Sequence, residues 1–389
     1  MGKLVASGYE ITSNPSRAEM IIINTCAFIK SARDEAKAVI EEMSAWKKNG
    51  KCKELYIAGC LPKWIKETNS QGLLKNVDGT IESIALFDYC TPRIKATPPW
   101  TAYVKIAEGC NNCCSYCLIP KIRGRLRTRK LSDIIKEAKL LAKRGVKELI
   151  YIAQDTTAYP KLAELLKKTA DISGIRWIRL MYAHPAHLKD DVIEVITSEK
   201  KIVKYLDLPI QHVNNKILKQ MNRRYQLEDF KNLIGRLRKR IPDLALRTSM
   251  MVGFPGEGRA EFAELFSFTK TARFDRLGVF TYHREAGTPA SRISGQVSEK
   301  TKKERFRKLM RLQAEISKNK NKSFIGRTLE VLIEGNKKDW YFGRTYRDAP
   351  EIDGKVLVKS PRPLNLGEII GVKIIGARTY DLIGVPVPS

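Results

Sequence analysis

The sequence predicts an α/β protein in three parts: a small parallel α/β domain, a partial (β/α)6 barrel and a C-terminal antiparallel β-barrel. Three observations predict this. Near the N-terminus an apolar run, a helical stretch and a second apolar run follow one another. Between residues 101 and 290, six strand-like runs alternate with helical segments. The end of the chain then turns to short alternating strands broken by Gly, Asp and Pro. The expected boundaries are 1–99, 100–323 and 324–389.

MIIINT (20–25) reads as a buried strand, Ser31 to Lys47 as a helix, and Leu55 to Ala58 as a second strand ending at Gly59–Cys60. Strand, helix, strand implies parallel pairing. ATPPW (96–100) is the expected linker. The six further strands are YVKIAE (103–108), ELIYIAQ (148–154), IRWIRLMYA (175–183), KYLDLPI (204–210), LALRTSMMVG (244–253) and RLGVFTY (276–282). LSDIIKEAKLLAKRG and LEDFKNLIGRLRKR are helical stretches among them. In such barrels the chemistry sits at the C-terminal ends of the strands. Residues 298–322 form a strongly basic helix. TLEVLIEG, WYFGRTY, GKVLVKS and IIGVKIIGARTYDLIGV then predict the closing barrel.

Hydrophobic residues make up 43% of the 389, enough for a core in each part. No apolar run is long enough to span a membrane. The first residues, MGKLVASGYEIT, lack the features of a signal peptide, so a cytoplasmic location is expected. The net charge of +29 is unevenly placed: +3 over 1–100, +24 over 101–323 and +2 over 324–389. A positive field on the middle region points to an RNA-rich partner.

Four of the eight cysteines fall in EGCNNCCSYCLIPKIRGR. In a reducing compartment that density favours metal over disulfides. Cys110, Cys114 and Cys117 are spaced C-x3-C-x2-C. Three thiolates can hold three irons of a cubane, leaving the fourth open to a substrate or cofactor. Zinc would call for paired C-x2-C motifs or added histidines, and no histidine is near. Cys113 offers another register, but it leaves no regular third partner before Cys117, so it is taken as a non-ligand. Gly253 and Gly256 in VGFPGE end the fifth barrel strand, where backbone can approach a ligand closely. Gln154 and Asp155 end the second barrel strand and His212 the fourth. Each of these also reads as an ordinary structural group.

C-x3-C-x2-C with Tyr116 before its last cysteine resembles the radical S-adenosylmethionine superfamily. There, the open iron chelates S-adenosylmethionine, and an electron from the [4Fe-4S] cluster yields a 5′-deoxyadenosyl radical. Tyr116 would pack near the adenine, and Gln154, Gly253 and Gly256 would border the cofactor. The resemblance extends over nearly the whole chain. NTCAFIKSARDEA and AGCLPKW are similar to the N-terminal domain of methylthiotransferases, and the last part resembles their TRAM domain. AQDTTAY, WIRLMYAHP, YLDLPIQH, KQMNRR, GVFTYHREAGTPA and GRTYRDAPEIDG resemble the branch acting on a ribosomal protein. This implies methylthiolation of an aspartate β-carbon in the small-subunit protein at the decoding centre, with ribosomal RNA nearby. It also implies a reductant such as flavodoxin or ferredoxin. The near-neutral C-terminal part, with Asp348, Glu351 and Asp353 in one run, is expected to dock the basic ribosomal protein. The alternatives are a transfer-RNA methylthiotransferase and a relative that cleaves S-adenosylmethionine without inserting sulfur.

The family carries a second cluster on three N-terminal cysteines. Cys26 in NTCAF and Cys60 in AGC match two of them. The first, in an SLGC-type turn after an opening strand, has no counterpart in this sequence. Cys52 and Cys90 lack the right context. A labile or absent second cluster is therefore expected.

Overall fold

The computed structural model describes residues 1–68, 72, 75–81 and 86–387. Its two units do not follow chain order. One gathers Met1–Ile94, Ala107–Arg129 and His283–Arg292; the other gathers Lys95–Ile106, Lys130–Tyr282 and Ile293–Ser389.

In the first unit, β1 (Met20–Thr25), β2 (Glu54–Gly59) and β3 (Gly79–Thr80) form a parallel sheet with β2 central. β1 alternates, burying Ile21, Ile23 and Thr25, as a half-buried strand should. The helices Lys30–Ser44 and Leu61–Thr68 follow the first two strands. Their core joins Ile21, Ile23, Leu55, Ile57 and Leu61 to Leu118 and Ile122, which flank and form the short helix Ile119–Arg123. The segment just after the cysteine cluster is thus part of the N-terminal core. A short hairpin, Ala107–Glu108 with Arg127–Thr128, brackets the cluster.

In the second unit, β4 (Thr101–Lys105), β5 (Glu148–Ile152), β6 (Trp177–Leu180), β7 (Ile202–Asp207), β8 (Ala245–Val252) and β9 (Arg276–Thr281) form a parallel six-stranded sheet in chain order. Each expected strand is present, shortened or shifted by a few residues. The closing barrel is β10 (Thr328–Lys337), β11 (Trp340–Arg344), β12 (Val356–Lys359), β13 (Ile369–Ala377) and β14 (Leu382–Pro386), closed in the order β10-β11-β12-β14-β13. Its pairs are antiparallel except β12–β14, which is parallel. A closed ring of five strands cannot alternate direction all the way round, so one parallel pair corrects the fully antiparallel expectation.

The loop after β11 overturns the docking role expected of the acidic run. Ala349 and Tyr346 pack with Ile150, Trp177, Tyr205 and Ala245, on the inward face of the sheet. Asp348 is 2% exposed and paired with Arg276. The Asp353 side chain is also 2% exposed; it accepts from Tyr205 Oη at 2.7 Å and lies 3.7 Å from Arg247. Only Glu351 of the three is exposed. The carboxylates face cations of their own chain because a buried charge needs a partner. Glu148, Arg179 and Arg344 continue this ionic layer: Glu148 accepts from Arg179 at 2.8 Å and from Arg344 at 2.6 Å.

Candidate active site

Cys26 and Cys60 directly follow β1 and β2, whose last residues, Thr25 and Gly59, are register partners. Neighbouring parallel strands lie about 4.8 Å apart, so the two cysteines start from adjacent points on one sheet edge. The Cys60 amide donates to Thr25 O at 2.9 Å. Gly59 has φ +92°, and a Cβ there would stand 2.2 Å from Thr25 O, so only glycine fits. Cys60 is 8% exposed, whereas Cys26 is open to solvent. The Arg123 guanidinium donates to Cys60 Sγ at 3.0 Å. It also lies 3.5 Å from the fully buried Glu108 carboxylate.

The second cysteine segment repeats the device. Gly109, before Cys110, has φ +81°, and a Cβ there would meet Arg125 O at 2.2 Å. Cys110 N–H donates to Gly124 O, and Cys117 N–H to Cys114 O. Two sulfurs accept from backbone amides two residues on: Asn112 N–H to Cys110 Sγ and Ile119 N–H to Cys117 Sγ, both at 3.4 Å. Cys113 differs: it is exposed, and its thiol is turned to Asn111 O at 3.8 Å. Cys110, Cys114, Tyr116 and Cys117 are all half-buried.

HREAGTPA braces both cysteine regions. Glu285, 3% exposed, accepts from Lys30 N–H and from Arg33, each at 2.7 Å. It serves as the missing N-terminal cap of the helix Lys30–Ser44, just after Cys26. Ala290 N–H donates to Ser115 O at 2.9 Å, between Cys114 and Cys117.

In the second unit the remaining sequence candidates fall at C-terminal strand ends. Gln154 is half-buried two residues past β5. At Gly253 the space of a side chain is taken by the Lys302 methylenes, and the amide donates to Glu257 at 2.9 Å. Gly256 faces the Gln220 amide. His212 is 1% exposed and 3.4 Å from Glu257, which Arg305 engages at 2.6 Å. It is a packed structural group and does not open to solvent.

Asp155 belongs to a cluster that the sequence reading left incomplete. Its carboxylate lies 2.6 Å from His187 Nδ1 and 2.7 Å from Thr157 Oγ1. His184 stacks on His187, with Nε2 2.9 Å from Arg223. Burial pushes the Asp155 carboxyl up, but the bonds from His187 and Thr157 outweigh it and hold it low. Burial, then the Arg223 guanidinium, hold the His184 imidazole down to about 3. The HPAH spacing and the RR of KQMNRR were the available signals. The facing guanidinium disfavours a cation here, although the three side chains are close enough to ligate one.

The comparisons with known proteins decide the family. The Radical SAM superfamily model matches residues 104–269, the TRAM domain model 325–387, and the model for Uncharacterized protein family UPF0004 residues 1–79. The ribosomal protein uS12 methylthiotransferase RimO of Pelobacter propionicus is 42% identical, over 99% of this chain and 93% of its own length. Its counterpart in Clostridium botulinum (strain Hall / ATCC 3502 / NCTC 13319 / Type A) is 43% identical, over 97% and 92%. The chain belongs to the radical S-adenosylmethionine methylthiotransferase family. Membership makes it an enzyme that works with S-adenosylmethionine and a [4Fe-4S] cluster. Among solved structures, the methyltransferase TsrM of Kitasatospora setae shares the fold, with TM-score 0.52 and 12% identity over 70% of this chain and 66% of that one. No helix among the described residues is long and apolar enough to cross a membrane.

Proposed function

We propose that this methylthiotransferase modifies the β-carbon of an aspartate in ribosomal protein uS12. The observation that carries the reading is similarity to uS12 methylthiotransferases over more than nine-tenths of both chains. The joining of Cys26, Cys60 and the 110–117 segment in one unit supports it. Residues 1–99, 100–323 and 324–389 would act as the methylthiotransferase, radical and TRAM parts.

Cys110, Cys114 and Cys117 would hold the radical cluster. The donor set fits: three half-buried thiols on a glycine-shaped loop, two of them receiving backbone N–H bonds of the kind that stabilise cluster sulfur. Cys113 is set apart by its exposure and its bond to Asn111 O. When bound, the cluster and S-adenosylmethionine supply the one-electron chemistry that removes hydrogen from an unactivated carbon. A flavodoxin or ferredoxin would supply the electron. Cys26 and Cys60 would supply two of the three thiolates of the family's second, sulfur-delivering cluster, with Arg123 donating to the Cys60 sulfur, and with only two that cluster would be labile. Gly59 and Gly109 fix where their cysteines start, and Glu285 and Ala290 hold the flanking backbone. By the family resemblance, Tyr116, Gln154, Gly253 and Gly256 would border the cofactor.

The test offers the reconstituted enzyme a peptide of the uS12 loop, the same peptide with Asn for Asp, and transfer RNA. Any gain of S and CH2, read by mass spectrometry, should fall on the Asp peptide alone. Modification of transfer RNA and not the peptide would overturn the assignment.

A further inference from the structure

The basic helix Glu299–Lys322 has no role in the chemistry above, yet its charges are ordered. Its buried side is Lys302, Arg305, Leu309, Gln313, Ile316 and Ser317, and Asn321 in the last turn is buried at the margin of the charged arc. At about 100° per residue, Lys300, Lys303, Arg307, Arg311, Lys318 and Lys322 fall within an arc of about 100° on the opposite side. All six are exposed. None of them has an ion-pair partner among the described residues. The row runs about 33 Å along the helix at 1.5 Å per residue. Glu304 and Glu315 lie at one margin of the arc. Some exposed cations elsewhere in this unit are tied to carboxylates, as Lys216 is to Glu261 and Arg236 to Asp190.

We propose that this stripe is a docking surface for the phosphodiester backbone of RNA. A linear row of unneutralised cations matches a polymer that carries one charge per repeat along its length. An acidic protein patch would be met by a cluster and not by a row. The surrounding region carries the +24 charge of residues 101–323, which raises the local concentration of a polyanion. Lysines and arginines of this kind read charge and not sequence, so the contact positions the enzyme on an RNA-rich particle without selecting bases. The inference goes beyond the proposed substrate and stands apart from it, since peptide turnover does not require RNA.

The test uses the full chain with its clusters reconstituted. Binding to a 30-nucleotide single-stranded RNA is measured from about 50 to 200 mM salt. The variant K303Q/R307Q/R311Q is compared with K139Q/K143Q/K167Q, which removes the same charge from exposed positions on other helices. Each cation released from a single strand contributes about 0.7 to the log–log salt slope. The stripe variant should therefore lose about 2 units of slope and bind about a hundredfold more weakly at 0.1 M salt, with the control near the parent. Turnover of the uS12 peptide should be the same in all three. Equal losses in both variants, or none in either, would overturn the proposal. So would loss of polyglutamate binding in the stripe variant while RNA binding persists, because that would assign the surface to an acidic protein.

Discussion

Arg123 donates a hydrogen bond to the sulfur of Cys60 at 3.0 Å, joining the helix after the 110–117 cysteines to the edge of the N-terminal sheet. The two residues are 63 positions apart. The pairing exists because Leu118 and Ile122, on either side of the helix start, are buried with Leu61 and Ile65 in one core.

If Cys60 ligates iron, Arg123 stabilises the more negative, reduced state of that cluster. Arg123→Gln should shift its reduction potential downward and lower iron content. A hydrogen bond to a charged group is worth about 1.5–3 kcal/mol. Spectroelectrochemical titration of the reconstituted protein measures it. Potentials equal to the parent's would show that Arg123 serves only its neighbour Glu108.

Asp348 and Arg276 form a buried pair where the C-terminal loop enters the sheet interior. Asp348→Ala removes the carboxylate paired with the buried Arg276 guanidinium, a loss of the kind that typically costs about 3–5 kcal/mol. Thermal unfolding should show a large drop in Tm. Glu351→Lys, at an exposed position, should change Tm little. The opposite ranking would mean that the acidic run faces outward after all.

His184 should make stability depend on pH. Its imidazole is held down to about 3 in the fold, against an ordinary 6.5. The unfolded chain therefore binds a proton first as the pH falls. Its contribution is intact above about 6.5 and is lost progressively from there toward 3. Chemical denaturation at pH 7, 5.5 and 4.5 should show a decline on the order of 1 kcal/mol per pH unit. His184→Gln should flatten that decline; an unchanged slope would assign it to other groups.

Much of this was legible in the sequence, for reasons that differ by element. β1 was readable to the residue because its isoleucines form a short apolar run closed by polar Asn and Thr. The cysteine spacing is local, so it needed no fold. Asp348 and Asp353 were misjudged because hydrophilic composition in a Gly- and Pro-rich segment looks like solvated loop. Their partners, Arg247 and Arg276, are about a hundred or fewer residues away on strands. The in-strand charges Glu148, Arg179, Asp207 and Arg247 were the overlooked signal: charges at alternate strand positions mark an ionic inward face. The tie of Glu285 to Lys30 and Arg33 spans 255 and 252 positions and has no local trace. His212 carried a real signal of constraint, but its burial beside Glu257 shows that constraint to be packing.

The most direct test of the account is reductive cleavage of S-adenosylmethionine by four single variants. Deoxyadenosine formation is measured for Cys110→Ala, Cys113→Ala, Cys114→Ala and Cys117→Ala after anaerobic reconstitution. Cleavage should fall by a factor of about a hundred or more, the order of magnitude of losing an essential group, in all but Cys113→Ala. Cys113→Ala should match the parent. Loss of cleavage in Cys113→Ala with survival in Cys114→Ala would contradict it.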